Sequence, residues 1–116
     1  MSGSHKHVIE EFTKTVNDRH VHHLDKVLEH DVEKRENSKV VYKNIAEARE
    51  YYSMEHEAHP SVPYKVVDVQ HEDESSKTIK ARVLYNNHTY NTTYTFSASG
   101  KIQKIDSVLD QQHETK

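Results

Sequence analysis

From residue 64 to residue 109 the chain alternates in character residue by residue, in runs broken by short polar clusters. Ile79, Ala81, Val83 and Tyr85 alternate with Lys80, Arg82 and Leu84, and Tyr90, Thr92, Tyr94 and Phe96 alternate with Asn91, Thr93 and Thr95. A period of two sends successive side chains to opposite faces of a strand, so each run has a core face and a wet face. Residues 64–69, rich in β-branched side chains, and residues 102–109 supply two more runs. The separators fit turns: 72–76 is acidic and serine-rich, 86–88 begins Asn-Asn, and 97–101 contains Gly100, which tolerates positive φ. The pattern predicts four antiparallel strands with one dry face. The first half of the chain must cover that face.

That half has helical spacing. Val8, Ile9, Phe12 and Val16 form one stripe, with Glu10, Glu11 and Lys14 opposite. After the break at 17–20, Val21, Leu24, Val27 and Leu28 predict a second, shorter helix. Residues 32–36 and 39–43 read as two short strands around the turn-forming Asn37-Ser38. Asn44, with Glu47 three residues later, is a helix-starting pair, and the third helix carries Tyr51 and Tyr52 towards Ala58 before Pro60 and Pro63 stop it. The expected organisation is a flexible N-terminus over 1–6, one domain over 7–110 and a flexible tail over 111–116.

A chain of 116 residues supports one core. With 33% apolar and 30% charged residues that core is lean, and a second subunit is expected to cover part of the surface. The 16 basic and 19 acidic residues are interspersed, giving a net charge of −3 and no basic stripe to neutralise successive phosphates, so nucleic acid is not an expected partner. No run approaches the ~20 apolar residues of a membrane helix, so no membrane partner is expected either. The first residues lack the apolar run of a secretory signal, and the expected location is cytoplasmic. Without cysteine there is no thiolate ligand or thiol nucleophile.

The 11 histidines raise the question of a metal. His20, His22 and His23 lie close together, and His56 and His59 stand three apart beside Glu55 and Glu57. A zinc site needs three or four converging ligands, and the two histidines of the metalloprotease helix stand four apart. Neither cluster fits, so no metal or other cofactor is expected beyond adventitious binding to a histidine-rich surface.

The order helix, helix, two short strands, helix, four strands resembles the nuclear transport factor 2-like superfamily, in its SnoaL-like and ketosteroid-isomerase-like branch. The likeness runs from about Val8 to Asp110. The stretch Leu24-Asp25-Lys26-Val27-Leu28-Glu29-His30-Asp31-Val32 is similar to the family's passage from second helix to first strand, and Tyr94-Thr95-Phe96-Ser97-Ala98-Ser99-Gly100-Lys101-Ile102 to its last hairpin. The resemblance implies an α+β cystatin-like roll of order ααββαββββ: a cone-shaped, curved antiparallel sheet wrapped round three helices from the N-terminal half, enclosing an apolar pocket. It also implies a homodimer through the outer sheet face, where Lys80, Arg82, Leu84, Asn91, Thr93 and Thr95 are expected.

In the isomerases of that branch a carboxylate on the first strand moves a proton beside a carbonyl; counted from Asp31, its position falls on Glu36. Val32, Lys34 and Glu36 share a strand face, so Lys34 accompanies Glu36 inward. Desolvation would raise a carboxyl pKa there and a neighbouring ammonium would lower it. The isomerases' two donors to the developing oxyanion match Phe12 and Thr92, which argues against ketosteroid isomerisation by that route. The expected walls are Phe12, Val16, Tyr51, Val66, Val83 and Tyr94, with Lys34, Tyr52, Tyr90 and Thr92 beside them. The expected function is binding of a small apolar ligand, extending to cofactor-independent isomerase, dehydratase or cyclase chemistry at Glu36. The alternative is a non-catalytic protein-interaction module that uses the same fold as a dimeric scaffold.

Overall fold

The computed structural model describes residues 3–110. Helix α1 spans Gly3–Asn17, a 3₁₀ helix Val21–Lys26, strand β1 Leu28–Glu36, β2 Lys39–Tyr42, helix α2 Ile45–Ala58, β3 Lys65–Asp73, β4 Thr78–Tyr85, β5 His88–Phe96 and β6 Ile102–Leu109. The six strands form one sheet in the order β2-β1-β6-β5-β4-β3. Helix α2 joins β2 to β3, the two edges of that sheet, and its side chains Ala48 and Tyr52 are buried in the same core as those of α1. The architecture is the expected α+β roll, a curved sheet around helices.

The alternation in β4 and β5 is realised. Ile79, Ala81, Val83 and Tyr85 are buried, as are Thr92, Tyr94 and Phe96. Across the hairpin Val83 faces Tyr90, Ala81 faces Thr92 and Ile79 faces Tyr94, so one face carries the apolar set. Lys80 and Arg82 pair with Thr93 and Asn91 on the other. Asn86 and Asn87, at φ 52° and 65°, form a two-residue loop between the paired Tyr85 and His88, the mirror-image turn whose twist suits a hairpin. Asn37 and Ser38 do the same between Glu36 and Lys39.

Several boundaries differ from expectation; strand β3 runs on to Asp73, through residues expected to open the turn at 72–76. Helix α1 begins at Gly3, taking in residues 3–6, and its first turn is anchored by the His5 ring, stacked on Phe96 at 4.4 Å. The expected second helix is a short 3₁₀ turn that ends at Lys26, because Leu28 is claimed by the sheet: it pairs with Ile102, and the Ile102 N–H donates to the Val27 carbonyl at 2.8 Å. A helix of that length is too short to hold against such pairing. Strand β1 therefore starts four residues before Val32. It also runs parallel to β6, which makes the sheet mixed, with every other neighbouring pair antiparallel. The expected tail at 111–116 lies outside the described residues.

Helix α2 starts as its sequence predicts. The Glu47 N–H donates to Asn44 Oδ1 at 2.8 Å, and Glu47 Oε1 accepts from the Lys43 N–H at 3.0 Å, so the helix entrance is bonded from both sides. At the end of α1 the Asn17 amide donates to the Tyr64 carbonyl and its Oδ1 accepts from the Tyr64 N–H, both at 2.8 Å. One side chain thus ties the first helix to the entry of β3. The core between helices and sheet is built on Ile9, Val16, Leu24, Leu28, Val32, Ile79, Ile102 and Ile105.

Candidate functional site

Towards one end of the sheet the core gives way to a cavity of about 250 Å³, small for a ligand pocket, since such pockets run to roughly 300–1,000 Å³. Six of the seven tyrosines line it: Tyr51 and Tyr52 from α2, Tyr64 from the entry to β3, Tyr85 from β4, and Tyr90 and Tyr94 from β5. Tyr42, the seventh, sits behind them with its hydroxyl 2.8 Å from that of Tyr52. The rings brace one another, Tyr64 stacked on Tyr85 at 3.9 Å and 5°, Tyr52 edge-on to Phe12 at 5.9 Å and to Tyr51 at 5.0 Å.

Two carboxylates interrupt this wall, each held by a phenol. The Tyr51 hydroxyl donates to Glu36 Oε1 at 3.1 Å, and the Tyr85 hydroxyl donates to Glu55 Oε1 at 2.9 Å. Glu36 is fixed at the end of β1 by its turn: the Asn37 N–H donates to the Ser107 carbonyl, and Asn37 Oδ1 accepts from the Leu109 N–H, both at 2.8 Å. Burial raises the phenol pKa of Tyr51, helped by the charges of Glu36 and Glu55. Burial followed by the hydrogen bond to Glu55 pushes Tyr85 up to about 12. Burial also raises Tyr94, and Tyr90 rises through burial and the charge of Glu36. At neutral pH these hydroxyls are all donors.

Lys34 projects from β1 beside Glu36, 8% exposed, with Nζ 5.4 Å from the Tyr51 ring centre and 5.8 Å from that of Tyr52. Burial lowers its pKa, and the charges of Glu36 and Glu55 offset only part of that shift.

Of the residues expected at the site, Glu36, Phe12, Val16, Lys34, Tyr51, Tyr52, Val83, Tyr90, Thr92 and Tyr94 all line the cavity. Val66 does not. It is half-buried against the core on the edge strand, next to a bulge between Val66 and Asp68, and Tyr64, two residues earlier, takes the place at the wall. Phe12 has no hydrogen-bond donor in its side chain, and the Thr92 hydroxyl lies 3.2 Å from that of Ser107, so neither supplies the free donor that the resemblance implies for the isomerases. The Tyr94 hydroxyl makes no hydrogen bond to another described residue, and Tyr94 lines the cavity.

Glu55, Tyr64, Tyr85, His59, Asn86 and His88 also line the cavity without having been assigned to it beforehand. Glu55 stands four residues after Tyr51, on the same helix face, and Tyr85 two after Val83, on the same strand face. Both signals were present. His88, two before Tyr90 and paired with Tyr85, carried the same strand signal, whereas His59 and Asn86 lie outside the elements, where periodicity says nothing. His20, His22 and His23 do cluster, with ring centres 4.3–6.4 Å apart. Among the described residues no group of three or more His, Asp or Glu is placed to hold a metal ion.

No protein-family model matches the sequence, and no curated protein matches it. Solved structures do. A SnoaL-like polyketide cyclase from Agrobacterium tumefaciens superposes with a TM-score of 0.73 at 12% identity, over 97% of this chain and 98% of that one. The chain has the SnoaL-like fold. A protein of unknown function with a cystatin-like fold from Methylobium petroleophilum matches with a TM-score of 0.82 at 10% identity, over 94% of this chain and 77% of its own. SalBIII, an epoxide hydrolase/cyclase-like enzyme of pyran ring formation in salinomycin, matches with a TM-score of 0.75 at 16% identity, over 93% and 92%. Within the SnoaL-like fold, the cavity described above is walled by the inner face of the sheet together with α1 and α2. At these identities the likeness speaks for the fold, and the chemistry has to be argued from the residues in that cavity.

Proposed function

We propose that this domain binds a small, largely apolar molecule in the tyrosine-walled cavity and moves a proton on it without a cofactor, as an isomerase, dehydratase or cyclase does. The observation that carries this reading is the Glu36 carboxylate at the cavity wall, hydrogen-bonded by Tyr51 at 3.1 Å and flanked by rings. A carboxylate so placed removes a proton from carbon next to a carbonyl, and the reaction then needs a donor for the oxygen that gains charge. The Tyr94 phenol fills the role that Phe12 and Thr92 leave vacant. The polyketide cyclase and cyclase-like enzyme that share the fold lend support, since their named chemistry is ring formation.

The scaffold reading, in which the domain only binds other proteins, expects a shallow or filled cavity and an exposed apolar patch elsewhere; a cavity of about 250 Å³ with Glu36, Lys34 and Glu55 in its wall favours a ligand. We also propose that the domain dimerises back to back through the outer sheet face. There Val108 pairs with Asn91 and is 52% exposed, beside the row of Lys80, Arg82 and Thr93.

The test is a thermal-shift screen of small apolar carbonyl compounds, followed by turnover of the hits by the wild type and by Glu36→Gln. Ligands should raise Tm in both proteins, and only the wild type should convert them. Conversion by Glu36→Gln would remove Glu36 as the base.

A further inference from the structure

The cavity holds one group that proton transfer by Glu36 leaves unused, the amine of Lys34. Lysines at protein surfaces are solvated, and those in cores are normally paired, since an unpaired buried charge is costly. Lys34 is neither. It is buried, lines the cavity, and makes no hydrogen bond or ion pair with any described residue. Glu36 and Glu55 act on it through space, and its nearest neighbours in the cavity are the faces of Tyr51 and Tyr52. An apolar residue at this inward position, between Val32 and Glu36, would cost the fold less.

We propose that Lys34 is a covalent site, whose amine captures the carbonyl group of an aldehyde or ketone ligand in the cavity as an imine. Reaction begins when the Nζ lone pair attacks the carbonyl carbon; the C–N bond forms and the carbonyl π pair moves to oxygen. Nitrogen gives one proton to the Glu36 carboxylate, oxygen takes one from solvent, and the product is a carbinolamine. The carboxyl group then returns its proton to the hydroxyl, which leaves as water while the nitrogen lone pair closes the C=N bond. Amine, carbonyl and one solvent proton thus give a protonated imine and water, with no oxidant or reductant. That protonated imine is a cation held between two carboxylates and over two phenol rings, which are the groups suited to stabilise it. Burial contributes as well: by lowering the lysine pKa it leaves more free amine at neutral pH than a surface lysine has.

This inference rests on the reading of the cavity as a ligand site but does not need Glu36 to be the catalytic base. Its test is reductive trapping: the full chain is incubated at pH 7 with benzaldehyde and sodium cyanoborohydride, and adducts are followed by intact mass and peptide mapping. The first adduct should map to Lys34 and form several-fold faster than adducts at exposed lysines such as Lys14 or Lys43. Lys34→Met, close in length and without the amine, should lose that fast adduct while remaining folded by circular dichroism. Labelling of Lys34 no faster than Lys14 in the wild type would overturn the proposal whatever the variant does. The readout is a mass at one residue, so its absence leaves the Glu36 reading standing. Loss of turnover with labelling intact would do the opposite.

Discussion

Tyrosine decides most of what this site can do, and it does so residue by residue. A phenol supplies ring surface for an apolar ligand and one hydroxyl to orient a polar group, so six of them build a wall that is dry yet rich in donors. The cost appears at high pH. In the unfolded chain a tyrosine ionises near its ordinary value of 10.0, whereas burial holds Tyr42, Tyr51, Tyr52, Tyr64 and Tyr94 above it and Tyr85 at about 12. A group whose pKa is raised on folding gives stability that is fully present below the unfolded value and disappears as pH rises through the folded one. Stability to urea should therefore fall steeply from pH 10 upwards, with tyrosinate absorbance at 295 nm appearing together with unfolding. Stepwise tyrosinate formation at pH 10 in the folded protein would contradict this burial.

At the scale of elements, the cavity depends on how α2 is set across the sheet, since Tyr51, Tyr52 and Glu55 all project from it. Its entrance is tied by Asn44, whose side chain takes the Glu47 N–H. Asn44→Ala should lower stability by about 1 kcal/mol, the usual cost of losing such a cap, and should weaken ligand-induced stabilisation more than a surface substitution of equal cost. Chemical denaturation with and without ligand checks both. Helix α2 and strands β4 and β5 were legible in the sequence, because each follows one period and ends at a recognisable turn or proline; β6 was legible from its apolar content and the Gly100 turn before it, although the buried Ile102 and Ile105 stand three apart. The 3₁₀ turn and the early start of β1 were not. Leu28 has the spacing of a helix, and only its pairing with Ile102, far along the chain, makes it a strand residue. The same limit applied to the site. Glu36 came from the family resemblance, and alternation then put Lys34 and the strand tyrosines on its inward face; His88 shares the period of Tyr90 and was overlooked, while His59 lies beyond the end of α2, where no period reaches.

The whole molecule joins a narrow interior to a polar exterior. Its sheet is covered on one face by α1, the 3₁₀ turn and α2, and its other face bears Lys80, Arg82, Asn91 and Thr93 with the exposed Val108. A back-to-back dimer would cover that valine and lend area to a lean core. Sedimentation equilibrium should give twice the monomer mass, and Val108→Asp should return it to one; a wild-type monomer across the micromolar range would remove the dimer. No helix among the described residues is long and apolar enough to cross a membrane. Under the proposed function, the cavity lined by Glu36, Glu55 and Lys34 among tyrosines takes a small molecule and Glu36 moves its proton. The most direct measurement is deuterium exchange at the carbon next to the carbonyl of a ligand that raises Tm, followed by proton NMR in heavy water. The wild type should wash out that proton signal and Glu36→Gln, with the same ligand-induced rise in Tm, should not. Equal exchange in the two proteins, or none in either, would contradict the account.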